Sequence, residues 1–300
     1  MNPQSLSITP LTTSLGAEIR GINLAEITNN DASVILDLLN QHKVIFFPGQ
    51  NLSVEEHVAF GALFGELQGH PHYENPITKH DQIFELAASH GGVADEWHSD
   101  ITFSASPALF SILKMVKCPD IGGDTLWTNP EMAYETLTAP LRDLCDGLTA
   151  LHTAEAHGRP EVMAVHPVVR VHPETGKRCL FVNEHFTKRI VEMSFDESNY
   201  WLSYLTRWIS QTRFSVRYRW QAGTIAMWDN RCTQHKVLND FNKERVIQRV
   251  TVMGDEPRGD ASKWPVYTNE QNASDTSRHD ALLNDYLSQA LGKSSPVEKA

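Results

Sequence analysis

Residues 214–220, FSVRYRW, place Phe214, Val216, Tyr218 and Trp220 at every second position with polar residues between them. Successive side chains of a strand point to opposite faces, so this alternation predicts a strand with one buried face. Further strands are expected at Ala108–Met115, Pro167–Val171, Arg178–Val182, 224–228 (TIAMW) and 245–253 (RVIQRVTVM). A strand-rich second half with intervening helices favours a β-sandwich or barrel over a doubly wound sheet. No GxGxxG or P-loop sequence contradicts that.

Helices are announced by their caps. Asn30 or Asp31 precedes Val34, Ile35, Leu38 and Leu39, and the chain then becomes strand-like at 44–47 (VIFF) and stops at Pro48-Gly49. Capping boxes run from Ser53 to Glu56 and from Ser194 to Glu197, and Asn129-Pro130 marks one more start. The second box opens a helix with Trp201, Leu202, Leu205, Trp208 and Ile209 on one side.

The 300 residues, 41% of them hydrophobic, suffice for one large domain, and no linker divides them. The body is expected to span 1–257, with 258–300 a polar extension. That extension carries Leu283, Leu287 and Ala290 or Leu291 at helical spacing, a short amphipathic helix for the body or a neighbouring subunit. A net charge of −11 argues against nucleic acid or an anionic membrane as partner. The longest apolar run, VIFF, is too short to cross a bilayer. Cys118, Cys145, Cys179 and Cys232 form no CxxC pair, so reduced thiols and a cytoplasmic setting are expected.

The stretch ADEWHSDITF, 94–103, holds the pair His98-x-Asp100. On a strand or just past its end, i and i+2 share a face, which suits two ligands of one ion. The pair alone is weak evidence among 14 histidines; His72-x-Glu74 shows how easily it arises. A third ligand is available in His235, within WDNRCTQHKV after a strand. Two histidines and a carboxylate leave three positions of an octahedral Fe(II) open for a chelating cosubstrate and oxygen. A 2-oxo diacid would need a cation for its far carboxylate, and Arg245 and Arg249 lie on one face of the strand that follows. Ile247 shares that face, whereas Val246, Val250 and Val252 point the other way. The same three ligands would also suit a zinc hydrolase.

Read in order, GELQGHPHY (65–73), EWHSDITF (96–103), GGDTLWTN (122–129), HPVVRVHPETGK (166–177), LFVNEHFTKRI (180–190) and WDNRCTQH (228–235) closely resemble the taurine dioxygenase family of Fe(II)- and 2-oxoglutarate-dependent oxygenases. The likeness covers most of the chain, from about residue 6 to 257. It implies a mainly β fold with flanking helices, a double-stranded β-helix or cupin-like jelly roll. His98, Asp100 and His235 would hold the iron, and Thr125 and Arg245 the far carboxylate of 2-oxoglutarate. His70, Arg249 and the backbone N–H of Ile101 would bind a sulfonate, and Tyr73 and Phe186 would line the pocket.

The implied reaction belongs to sulfur metabolism: hydroxylation of the carbon bearing the sulfonate of taurine or a related alkanesulfonate, releasing sulfite and an aldehyde with succinate and CO2. Alkyl sulfate esters, releasing sulfate, and aryloxyalkanoates are the alternatives. A non-catalytic jelly-roll binding protein would have no use for Thr125, Arg245 and Arg249. A homo-oligomer is expected. Ala94 stands where taurine-specific members carry asparagine, His185 replaces an expected glycine, and the 152–166 segment is shortened; each bears on the pocket.

Overall fold

The structure is a computed structural model that describes residues 6–69, 80–90, 94–267 and 278–290. Along the chain, β1 (Ser7–Pro10) and β2 (Ala17–Arg20) precede α1 (Asn29–His42), β3 (Val44–Phe47), α2 (Val54–Ala62), β4 (Leu67–Gln68) and β5 (Phe84–Ala87). Then come β6 (Ala108–Lys117), β7 (Thr125–Thr128), α3 (Pro130–Glu135) and α4 (Ala139–Cys145). They are followed by β8 (Thr149–Ala154), β9 (Arg159–Pro167), β10 (Val169–Val171), β11 (Arg178–Leu180), β12 (Thr187–Ile190) and α5 (Phe195–Ile209). β13 (Ser215–Tyr218), β14 (Ile225–Asp229), β15 (Gln234–Val237), β16 (Val246–Met253) and α6 (Arg278–Ala290) complete it.

The large sheet runs β1-β2-β3-β14-β6-β16-β4, with β5 also paired to β16; a smaller sheet runs β13-β7-β15. Alternation along each large-sheet strand separates two cores. Ile45, Phe47, Ile112, Ile225, Met227, Val250 and Val252 face Ile35, Leu38 and Leu39 of α1 and Phe60 of α2. Val44, Phe46, Leu113, Ala226, Trp228 and Ile247 face the other way, onto Trp127 of β7 and Val216 and Tyr218 of β13. Two sheets therefore pack face to face with helices outside, the jelly-roll arrangement. Phe46 stacks on Tyr218 at 3.8 Å across the sheet interface. Trp127 and Trp228 are fully buried there, and truncating either to alanine should cost about 3–5 kcal/mol.

The expected caps at Ser53, Asn129 and Ser194 are present, each accepting from a backbone N–H of its first turn. The first helix begins earlier than Asn30: Thr28 is the cap, and Asp31 reaches back to its N–H at 3.0 Å. Thr28 and Asp31 form a box of the same kind, which explains why Asp31 resembles a cap itself. β8, β9 and β12 form a separate sheet, order β12-β8-β9. The 152–166 segment is largely a hairpin joined by a tight turn at Glu155–His157. α6 packs on the body: Leu283 is buried with Leu151 and Val191, and Leu287 lies against the same cluster.

Candidate metal centre and active site

The 94–103 stretch makes no regular strand; its ladder contact is one antiparallel bridge between His98 and His235. His98 N–H donates to the His235 carbonyl at 3.1 Å, and His235 N–H donates back at 2.8 Å. These two bonds fix the imidazoles side by side, ring centroids 4.2 Å apart. Beyond His98 the chain turns, with Asp100 N–H donating to Asn230 Oδ1 at 3.1 Å and Ile101 at φ +48°. That turn, and not a shared strand face, brings the Asp100 carboxylate to 3.8 Å from His98 Nε2. One ligand atom each from His98, Asp100 and His235 lies within 4.8 Å of the others, all on buried residues.

His98 Nδ1 lies 2.8 Å from the Glu96 carbonyl, so Nδ1 carries the proton and Nε2 keeps its lone pair. Burial lowers the pKa of both imidazoles against the pull of Asp100, leaving them neutral, the form that binds a metal ion. Burial would raise the Asp100 pKa, but Arg249 foremost, with the Ser111 hydroxyl contributing, holds it well below the usual carboxylate range. His235 Nδ1 is buried with no hydrogen-bond partner among the described residues. Two neutral imidazoles and one ionised carboxylate fit Fe(II) with open positions.

A second cluster, His172, Asp229 and Cys232, satisfies the same distance limit but not the same chemistry. His172 Nδ1 accepts from the N–H groups of Glu174 and Thr175, so its proton sits on Nε2 and goes to Asp229 at 3.0 Å. Arg231 occupies the Asp229 carboxylate from Nε and Nη2 at 2.6–3.1 Å. Burial pushes the Cys232 thiol well above its ordinary pKa, keeping it protonated. The imidazole and carboxylate are fully engaged and no thiolate is present, so the cluster is a buried structural network.

Arg245 and Arg249 share one face as expected, on either side of Ile247, but their surroundings differ. Arg245 is buried and donates to the Gly123 carbonyl at 3.1 Å and to Thr125 Oγ1 at 3.3 Å. Among the described residues no carboxylate lies within 4.0 Å of it, and burial lowers its pKa to about 10. Gly123 has φ +70°, and a Cβ there would lie 3.2 Å from Arg245 Cδ. The GGDT motif is thus a turn shaped around this guanidinium. Arg249 is also buried, packs over Phe84 at 4.9 Å, and donates from Nη1 to Asp100 Oδ1 at 2.5 Å. Its Nε has no partner among the described residues.

Ile101 and Phe186 are buried beside the triad in an apolar cluster with Phe103, Ala108 and Ala154; the Phe186 ring centroid lies 6.1 Å from that of His98. His185 pairs with Glu96 at 2.6 Å, its ring 5.7 Å from His98. Ala94 contributes its carbonyl, which accepts from Val237 N–H at 2.8 Å. His70 and Tyr73 lie outside the described residues. Ser111 and Asn230, which touch Asp100, have no sequence signal beyond the position of Asn230 next to Asp229 in the WDN motif.

Among the described residues no helix is long and apolar enough to cross a membrane. Residues 7–251 match the model of the family described as "Taurine catabolism dioxygenase TauD, TfdA family". An alkylsulfatase of Acinetobacter baylyi is 38% identical over 282 residues, 86% of this chain and 88% of the relative. An alpha-ketoglutarate-dependent sulfate ester dioxygenase of Pseudomonas putida is 36% identical over 278 residues, 85% of this chain and 91% of the relative. The crystal structure of a taurine dioxygenase from Burkholderia xenovorans superposes with a TM-score of 0.78 at 36% identity, covering 87% of this chain and 96% of that one. The chain therefore belongs to the TauD, TfdA family and is a 2-oxoglutarate-dependent dioxygenase, an oxidoreductase of the class that uses Fe(II) and O2.

Proposed function

We propose that His98, Asp100 and His235 hold the iron, that Thr125 and Arg245 receive the far carboxylate of 2-oxoglutarate, and that Arg249 receives a sulfonate or sulfate head. The observation that carries this reading is the contrast between the two arginines. Arg245 is a buried cation with no carboxylate beside it among the described residues, and a dianionic cosubstrate supplies one. Arg249 is buried against Asp100, whose charge a metal ion would share, leaving guanidinium donors for a second anion.

Fe(II) with 2-oxoglutarate and O2 supplies oxidation of a substrate C–H bond, one oxygen atom going to succinate and the other to the substrate. The chain's own residues orient and enclose. Arg249 anchors the sulfur head, with the N–H of Ile101 and His70 as further donors in this reading, and sets the adjacent carbon toward the triad. Phe186 and Tyr73 line the tail. Once that carbon carries hydroxyl, the bond to the leaving group breaks with its electron pair and the hydroxyl loses its proton. A sulfonate gives sulfite and an aldehyde; a sulfate ester gives sulfate and an aldehyde.

The names of the relatives support both heads, a taurine dioxygenase on one side and sulfate ester enzymes on the other. The tail wall favours an alkyl group within that class. Ile101, Phe103, Ala154 and Phe186 are apolar, and the nearby carboxylate of Glu96 is engaged by His185, leaving little among the described residues to hold the ammonium of taurine. Among sulfonates and sulfate esters, uncharged alkyl tails are therefore the expected preference. Free thiols, three of them buried, are consistent with a cytoplasmic setting.

The test loads the enzyme anaerobically with Fe(II), then supplies 2-oxoglutarate, O2 and a panel of taurine, hexanesulfonate, hexyl sulfate and phenoxyacetate. Succinate, sulfite and sulfate are read in parallel. Succinate formation matched by sulfite or sulfate is expected with the hexyl compounds. Turnover with phenoxyacetate alone would refute the sulfur head.

A further inference from the structure

The two oxygens of Asp100 are used differently. Oδ1 faces His98 Nε2 at 3.8 Å and Arg249 Nη1 at 2.5 Å. Oδ2 accepts the Ser111 hydroxyl at 2.6 Å. That hydroxyl has one proton, and Asn230 Nδ2 donates to its oxygen at 2.9 Å, so the proton is turned toward Asp100. Asn230 is committed in turn: its Oδ1 accepts Asp100 N–H at 3.1 Å and Trp228 Nε1–H at 3.0 Å. Only the amide oxygen can accept from two N–H groups, which assigns the orientation. Its own backbone N–H donates to the Leu109 carbonyl at 2.9 Å, tying it to the start of β6. Ser111 is fully buried and Asn230 is 2% exposed, so these bonds are shielded from solvent.

We propose that Ser111 and Asn230 are positioning residues that keep Asp100 a one-oxygen ligand, holding Oδ2 in the Ser111 hydrogen bond so that Oδ1, the oxygen facing His98, is the one presented to the metal. The inference rests on His98, Asp100 and His235 being the metal site. Without the Ser111 hydroxyl, the carboxylate is free to rotate about its Cβ–Cγ bond and offer both oxygens. A second carboxylate oxygen would take a coordination position that the keto acid needs. Asn230 holds the same residue from the backbone side, so the pair fixes both where Asp100 stands and which oxygen it offers. Partners of this kind typically change metal affinity by roughly 10- to 100-fold when removed.

The experiment titrates metal-free protein with Co(II), followed by calorimetry and by visible absorption, whose intensity reports coordination number. Ser111→Ala should change Co(II) affinity roughly 10- to 100-fold relative to wild type and lower the intensity of the visible bands, as entry of a second carboxylate oxygen requires. In the iron enzyme the KM for 2-oxoglutarate should rise while the KM for substrate stays near wild type. Ser111→Thr, which keeps the hydroxyl, should restore affinity and spectrum, separating the lost donor from lost packing. If Ser111→Ala does not fold, Asn230→Leu, uncharged and close in shape, removes the donor to Ser111 and should change the Co(II) spectrum in the same direction. Affinity within about twofold of wild type and an unchanged spectrum in either variant would overturn the proposal. Failure of the wild type to bind Co(II) would overturn the site reading itself.

Discussion

Arg249 Nη1 lies 2.5 Å from Asp100 Oδ1, and neither side chain is more than 9% exposed. Removing one partner of such a buried pair leaves the other charge uncompensated, at a cost of about 3–5 kcal/mol. Arg249→Gln should therefore destabilise the metal-free protein by an amount of that order. With Co(II) bound, the ion neutralises Asp100 and the loss should shrink. Thermal unfolding of both proteins with and without Co(II) checks this. Equal losses in the two states would mean that Arg249 and the metal do not share the carboxylate.

Arg245 meets Thr125 and Gly123 but no carboxylate among the described residues, so its contribution should be felt through the cosubstrate. A lost charge-assisted hydrogen bond is worth about 1.5–3 kcal/mol, roughly ten- to hundredfold in affinity. Arg245→Lys replaces a fork with a point charge and should raise the KM for 2-oxoglutarate within that range. Gly123→Ala should do the same indirectly, because its Cβ would lie 3.2 Å from Arg245 Cδ at a φ of +70°. Neither should change the KM for the sulfur substrate by more than about twofold, since both substitutions keep the charge and alter contacts of Arg245 that Arg249 does not share. Steady-state kinetics with each substrate varied in turn would expose a shared site if both constants moved together.

The His172 network makes an opposite prediction about metal. Its nitrogens and the Asp229 oxygens are already paired, so it should take up none. Wild-type protein should bind one equivalent of Co(II), and His172→Gln should still bind one while unfolding at lower temperature. His98→Ala should lose the equivalent. Calorimetric stoichiometry decides, and a second equivalent lost in His172→Gln would show that the network is a metal site.

Why the sequence reveals one part of this site and not another follows from where the signals lie. Strand periodicity places Arg245 and Arg249 on one face, and the same rule sorts Ile247 from Val250 and Val252. His98 and Asp100 are legible for a reason that only partly holds: they converge through a bridge and a turn containing Ile101 at positive φ, which no alternation rule encodes. Ser111 sits within ALFSILKM, where a serine in a hydrophobic strand carries no hint that it reaches Asp100. β8 and β12 escape a reading by pattern because ALHTA and TKRI interrupt apolar residues with His152, Thr153, Lys188 and Arg189. In the fold His152 is satisfied by Thr102 and Thr187, partners distant in sequence. Tertiary hydrogen bonding there decides what local pattern does not.

Three buried histidines outside the triad make stability depend on pH in a definite direction. Burial lowers His57 and His166 to about 4 from an ordinary 6.5, although each has a carbonyl near its Nε2, and it lowers His152 well below 6.5. These groups stay neutral in the fold, while in the unfolded chain they take up protons near pH 6.5. The unfolded state therefore binds more protons between these limits, and stability rises with pH across the window. The stabilisation is complete above about pH 6.5 and should fall progressively toward pH 4, each histidine losing about 1.4 kcal/mol for every pH unit crossed. His57→Gln keeps a donor near the Ile112 carbonyl, 3.0 Å from His57 Nε2, but removes the titration. Its urea midpoint should fall less steeply between about pH 7 and 4.5 than that of the wild type. Parallel declines in the two proteins would show that protons taken up at residue 57 do not drive acid unfolding.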